Sequence, residues 1–206
     1  MKTLIIKITV LIFASLLAQA ALAQDTADKG AEARFFIPSV PGVVKDTRTG
    51  LEWMRCSLGQ DWQETSRTCV GEIKRYQLRQ AQTLVGKINK LGGHAGYSNW
   101  RLPTIRELAN IRYCKDGMKR STNLGDGGTD LPTLCAGGVN MWNKIATVAS
   151  SIFPQTGAEG YFYWSETLTN DSTGAWSVRF NYGDIGQSTL DESANNSYGM
   201  VRLVRE

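Results

Sequence analysis

Trp100-Arg101-Leu102-Pro103-Thr104-Ile105-Arg106-Glu107-Leu108 carries the sharpest local signal in the chain. Thr104 and Glu107 form a capping box: the hydroxyl accepts from a forward amide, and the carboxylate reaches back to the cap amide. A helix therefore starts at Thr104. Pro103 cannot be extended backwards into that helix, so Trp100-Arg101-Leu102 is read as a short strand. This one stretch already calls for a fold that mixes sheet and helix.

Upstream, Leu78, Ala81, Leu84, Val85, Ile88 and Leu91 recur at helical spacing, which predicts an amphipathic helix from Gln77 to Leu91. Lys87 and Lys90 suit its last turn, and Gly92-Gly93 ends it. Further upstream, Val43-Val44, the turn Asp46 to Gly50 and Leu51-Glu52-Trp53 read as strand, turn, strand. Downstream, Tyr161-Phe162-Tyr163-Trp164 is expected as a buried strand. Trp176, Val178, Phe180 and Tyr182 alternate with polar residues, the pattern of a half-buried strand. Gly183-Asp184 turns it into a hairpin with Ile185 to Leu190, and Met200 to Val204 is a final strand. Helices early and antiparallel strands late mean α+β, with a glycine-rich loop region over 116–140.

The chain has 206 residues, 42% hydrophobic and 20% charged, with a net charge of +4. That suits one globular domain and excludes a coiled coil or a multi-span membrane protein. Residues 1–23 read as a secretory signal peptide: Lys2 and Lys7, an apolar stretch from Ile8 to Leu17, then Ala21-Leu22-Ala23 as the cleavage site. Residues 24–42 are expected to be a flexible N-terminal tether and 43–206 a single domain. After cleavage no membrane span is expected, and the location is periplasm, cell surface or medium. Export makes Cys56, Cys69, Cys114 and Cys135 candidates for two disulfides. Three pairings are open. Cys56–Cys69 and Cys114–Cys135 are preferred, because each closes a short polar loop with little else to hold it. A four-cysteine metal site needs tighter C-x-x-C pairs, so no metal and no cofactor are expected.

Catalytic patterns are weak. A single histidine excludes any site built on two imidazoles. No phosphate-cradling glycine motif occurs. Gly96-Tyr97-Ser98-Asn99-Trp100 begins like a nucleophile elbow but ends on Trp where a small residue is needed. Glu166 with Asp171, or Asp184 with Asp191, are carboxylate pairs that read equally as solvated loop acids. Charge says more. Residues 45–120 hold 15 Lys/Arg against 7 Asp/Glu, while 121–206 hold 4 against 9. Such polarity attracts polyanions unless folding interleaves the charges. Export makes nucleic acid a poor partner. Of six tryptophans, Trp53, Trp100 and Trp164 are assigned to the core, and Trp142 to an exposed loop.

The order Asp46-Thr47-Arg48-Thr49-Gly50-Leu51-Glu52-Trp53, the Cys56…Cys69 loop, Gly96 to Thr104 with Glu107-Leu108, Tyr163-Trp164-Ser165 and Val201-Arg202-Leu203-Val204-Arg205 resembles an exported bacterial domain family. That family is typified by the C-terminal domain of the Legionella collagen-like adhesin, and the match covers about residues 43–206. The resemblance extends to the C-type-lectin-like group that includes the formylglycine-generating enzymes. It implies a compact α+β fold with two early helices, a twisted antiparallel sheet and a long loop region that carries function. Those enzymes use a late cysteine pair, and here no cysteine follows Cys135. Calcium lectins use E-P-N or Q-P-D with W-N-D, whereas Trp142-Asn143-Lys144 places a cation at the acid position.

The expected function is a non-enzymatic, exported binding or adhesion module for an anionic, sulfated glycan or a surface protein. Arg112, Lys115, Lys119, Arg120 and Lys144 are the expected charges, and Trp142 the stacking face. The alternatives are a structural subunit of a surface appendage or envelope complex, and an enzyme of the formylglycine-generating or glycosidase type.

Overall fold

A computed structural model gives the fold over residues 33–38, 40–114, 117–119, 131, 134–136, 148–157 and 160–206; the Lys119 side chain lies outside this description. The expected signal peptide and most of the tether fall outside it too. Among the described residues the architecture is α+β, with two helices, antiparallel sheets and two disulfides.

The first sheet contains β1 (Phe35–Phe36), β2 (Val43–Asp46), β3 (Glu52–Met54) and β11 (Val204–Arg205), in the order β1-β2-β3-β11. The β2–β3 hairpin is the one read from the sequence. Gly50 has a φ of 78°, the left-handed conformation the turn needs. Asp46 is buried beneath this turn. It pairs with Arg34 and accepts from the Arg48 amide and the Thr49 hydroxyl. Phe35 is buried in the core and β1 pairs with β2, so the ordered sheet begins upstream of residue 43.

A hairpin of β4 (Gln60–Gln63) and β5 (Thr68–Gly71) follows, with Cys69 of the first disulfide on β5. The polar run between Cys56 and Cys69 carries no alternation, so this pair was not expected. Both disulfides join the preferred partners, with Cα atoms 5.6 Å apart at Cys56–Cys69 and 5.3 Å apart at Cys114–Cys135. The second ties the segment after α2, at Cys114, to β7 (Leu134–Cys135), which pairs with β6 (Met118–Lys119).

Helix α1 spans Leu78–Lys90 and α2 spans Ile105–Asn110. In α1, Leu78, Ala81 and Val85 are buried. The capping box of α2 forms as expected: Thr104 Oγ1 accepts from the Glu107 amide at 3.3 Å, and Glu107 accepts from the Thr104 amide at 2.8 Å. Glu107 also takes two bonds from Arg101, at 2.7 and 2.8 Å. Trp100-Arg101-Leu102 makes only a bridge, Arg101 to Val204, rather than a full strand.

The second sheet is β8 (Tyr163–Leu168), β9 (Gly174–Arg179) and β10 (Asp184–Thr189), with β9 in the middle. β9 is not half-buried as its alternation suggested. Ala175, Ser177 and Asn181 are as buried as Trp176, Val178 and Phe180. The reason is that this sheet lies between two apolar clusters. One contains Trp53, Phe153, Tyr163, Trp176 and Phe180; the other contains Trp100, Leu102, Trp164, Ala175 and Leu203. Trp53, Trp100 and Trp164 are core residues, as assigned.

The last segment binds these parts together. Met54 donates its amide to Leu203, Leu58 to Val201, and Trp164 to Met200. Between them Arg202 is fully buried. Its guanidinium donates to the Met54 carbonyl at 2.8 Å, to the Arg55 carbonyl, and to Thr156 Oγ1 at 2.5 Å. It lies 4.8 Å from the Phe153 ring centre and 5.7 Å from that of Tyr163.

Two outcomes follow from these contacts. Arg202→Ala strands buried carbonyls and opens a void, so urea denaturation should show a loss of roughly 3–5 kcal/mol, only partly recovered by Arg202→Lys, which lacks the planar fork. Burial works to raise the Glu107 and Asp46 carboxyls, but Arg101 and the Thr104 amide for one, and Arg34 and Thr49 for the other, hold both below their ordinary values. The unfolded chain therefore binds more protons. This contribution is complete above the ordinary carboxylate pKa, about 4, and is lost as pH falls through the lower folded-state values. Glu107→Gln should flatten that acid limb, and Thr104→Ala should cost about 1 kcal/mol at neutral pH, both read from denaturation curves across pH.

Candidate functional site

Residues 72–76 leave β5 and lead into α1. Glu72, Lys74 and Arg75 are exposed, Ile73 packs partly buried against the core, and the Tyr76 amide and carbonyl pair with the carbonyl and amide of Gly199 at 2.8 and 2.9 Å. Trp164 Nε1 donates to the same Tyr76 carbonyl at 2.7 Å. Gly199 has to be glycine. A Cβ there meets Phe162 Cε2 at 2.3 Å and Trp164 Nε1 at 2.9 Å. This tight crossing holds the 72–76 segment against the 195–199 segment.

Beside the crossing an open cleft of about 610 Å³ is lined by Lys74, Arg75, Tyr76, Tyr161, Asn195 and Tyr198, with Glu72 and Ile73 completing it. Tyr161 and Tyr198 are each 38% exposed. The Arg75 guanidinium carbon sits 4.1 Å from the Tyr161 ring centre. That stack holds a cation and an aromatic face side by side. Lys74 and Arg75 outnumber the single acid, Glu72, so the cleft is basic. It offers flat rings for an apolar ring face and fixed donors for anionic or hydroxyl oxygens.

A second, smaller cleft of about 210 Å³ lies at the start of α1. Gln77, Gln82, Leu168 and Leu190 are among its walls. Gln77 Nε2 donates to the Glu192 carbonyl at 2.9 Å, and the Arg79 and Glu192 side chains approach to 3.8 Å in an exposed pair.

Of the charges expected to bind ligand, Arg112 is placed in the interior, 4% exposed. Its Nη1 donates to the Gly183 carbonyl at 2.7 Å and its Nε to the Ala109 carbonyl at 3.2 Å. Burial pulls its pKa to about 10, with Asp184 acting against that. Arg112 thus ties the end of α2 to the β9–β10 turn and is not presented to an outside ligand. Lys119 lies on β6 with its side chain outside the described residues; Lys115, Arg120, Trp142 and Lys144 also lie outside them. Of the candidate acids, Glu166 is exposed on β8, and the other three close local structure. Asp171 accepts from Thr169 and Thr173, Asp184 pairs with Arg179, and Asp191 accepts from Ser193.

The cleft residues were not singled out by sequence. Tyr161 falls in the run expected to be a buried strand, and Lys74, Arg75 and Tyr198 lie in no sequence pattern that marks a site. Tyr161 escapes burial because β8 starts only at Tyr163.

Fold and cleft together define a disulfide-tied α+β module with an open basic-aromatic surface site. The chain belongs to the Lcl C-terminal domain family, whose model matches residues 42–205. Comparison with curated proteins gives no match. Among the described residues no helix is long and apolar enough to cross a membrane, and the two disulfides fit an oxidising compartment.

Gly199→Ala should lower stability by roughly 1–3 kcal/mol, because Phe162 and Trp164 are packed and cannot retreat freely. Thermal unfolding of the oxidised protein measures this, and an unchanged midpoint would mean the crossing is looser than described.

Proposed function

We propose that this chain is an exported, non-catalytic adhesion module that binds an anionic, sulfated glycan in the cleft formed by Lys74, Arg75, Tyr161 and Tyr198. The observation that carries this reading is the Arg75 guanidinium over the Tyr161 ring, in an open basic cleft that Tyr198 also lines. Sugar rings offer C–H faces that pack on tyrosine, and their sulfate or carboxylate groups accept from guanidinium and ammonium donors. Membership of the Lcl C-terminal domain family supports an adhesion-related role. A C-type-lectin-like arrangement, in which irregular segments on a stapled core display the ligand site, is part of the same proposal. Binding of this kind needs no calcium, since cations on the protein meet the anionic groups directly.

The test uses the oxidised protein and a heparin-derived disaccharide followed by calorimetry. Tyr161→Ala and Arg75→Gln should each weaken binding about tenfold, affinity should fall as NaCl rises, and chelating calcium should change nothing. Affinity indifferent to salt and to both substitutions would rule the cleft out.

A further inference from the structure

We infer that the smaller cleft at the start of α1 is a separate site for a free α-amino acid with an apolar side chain, bound as its zwitterion by Arg79 and Glu192. The inference does not depend on the glycan reading of the basic cleft.

Arg79 and Glu192 come from different walls: Arg79 from the first turn of α1, Glu192 from the turn that follows β10. Their side chains approach only to 3.8 Å, Nε to Oε1, and are 87% and 56% exposed. Among the described residues no hydrogen bond engages either side chain. An exposed pair of this kind is worth little to the fold. It does place a cation and an anion side by side with donors and acceptors to spare. The ammonium and carboxylate of an α-amino acid share one carbon, so their nitrogen and oxygen atoms lie about 3 Å apart. Arg79 can therefore meet the carboxylate while Glu192 meets the ammonium, and one weak contact gives way to two charge-assisted ones.

The other walls suit the rest of such a ligand. Leu168, at the end of β8, is 46% exposed, and Leu190 is half-buried just after β10. Leu168 pairs with Ala175 and Thr189 with Gly174, so both leucines stand at one end of the sheet and offer apolar surface to a side chain. Gln82, one turn along α1, is exposed, and its amide can serve either charged group. The volume of about 210 Å³ is below the roughly 300 Å³ at which pockets for larger ligands begin, which suits one residue.

The wall that carries Glu192 is fixed in advance. Gln77 Nε2 donates to the Glu192 carbonyl at 2.9 Å, Ser193 donates its amide to Asp191 at 2.9 Å, and Ala194 donates its amide to the Asp191 carbonyl at 3.0 Å. A formed site loses less entropy on binding. A polyanion is a poor occupant, because Glu192 repels it. A peptide end is also poor, because it carries only one of the two charges.

The probe is L-leucine, titrated by calorimetry into the oxidised protein, with glycine, N-acetyl-L-leucine, L-leucinamide and trileucine for comparison. Leucine should bind. N-acetyl-leucine, leucinamide and trileucine, which each lack one charge or hold the two apart, should bind about tenfold more weakly. Glycine should be weaker by about tenfold for want of an apolar side chain. Arg79→Gln and Glu192→Gln should each weaken leucine about tenfold, move the melting temperature by no more than about 2 °C and leave heparin-disaccharide binding unchanged. Absence of leucine binding, or an affinity untouched by both substitutions, would overturn the site and leave the basic cleft standing. A large fall in melting temperature in either variant would also overturn it, since the pair would then be holding the fold. A blocked or longer ligand that binds as tightly as leucine would assign the cleft to a peptide end instead.

Discussion

A single buried guanidinium organises this protein. Arg202 lies in the core, and among the described residues no carboxylate pairs with it; backbone carbonyls of Met54 and Arg55 and the hydroxyl of Thr156 take up its Nη donors, and the rings of Phe153 and Tyr163 flank it. Burying a charge this way costs several kcal/mol unless nearly every donor is met. The three groups that meet them come from β3 and the residue after it, and from the 148–157 segment. Their positions are therefore coupled to one side chain. The neighbouring Arg55 repeats the device at the edge of the core: it donates to the Ile152 and Ser151 carbonyls and stacks 3.7 Å from the Trp62 ring centre. Two arginines thus clamp an otherwise irregular segment from both sides.

The C-terminal segment that carries Arg202 also builds the cleft. Residues 199–204 touch Tyr76, Trp164, Leu58, Met54 and Arg101 through backbone bonds, so one strand-like stretch connects both sheets and the lead into α1. The ligand-facing tyrosines stand next to this stretch and not within it. Tyr198 directly precedes the Gly199 crossing, and Tyr161 precedes the paired part of β8. Rigid backbone beneath and exposed rings above is an arrangement that limits the entropy lost on binding.

Much of the fold was legible locally. The Thr104–Glu107 box, the Asp46–Gly50 turn and the apolar face of α1 each depend on residues at most a few turns apart; the first two formed as read, and the third did so except at Leu91, which lies past the helix end and is 87% exposed. The cysteine pairing was legible for the same reason, because short loops close at low entropic cost. The β4–β5 hairpin was not, since its polar strands lack alternation and the disulfide beside it supplies the constraint. β9 reads as half-solvated because Ser177, Arg179 and Asn181 look like surface residues, yet of these only Arg179 is exposed. Ser177 is instead satisfied by Ser188 at 2.9 Å inside a covered sheet. Arg112 was read as a ligand-facing charge, and the carbonyls that engage it lie as far as 71 residues along the chain.

Sequence by itself determined where both helices start and where α1 stops, the main hairpins, a preference among the disulfide pairings and the excess of cations in the first half of the chain. These follow from hydrogen bonding and apolar periodicity over short separations. Only the tertiary structure decided which cations face outward and which aromatic rings stay uncovered. Arg75 and Tyr161 meet across 86 residues, while Arg112 and Arg202 turn inward to carbonyls that no local pattern announces. The physical reason is that a long basic side chain has no preferred environment of its own. It goes where the packed backbone leaves acceptors unsatisfied, and that is settled only when distant segments close on one another.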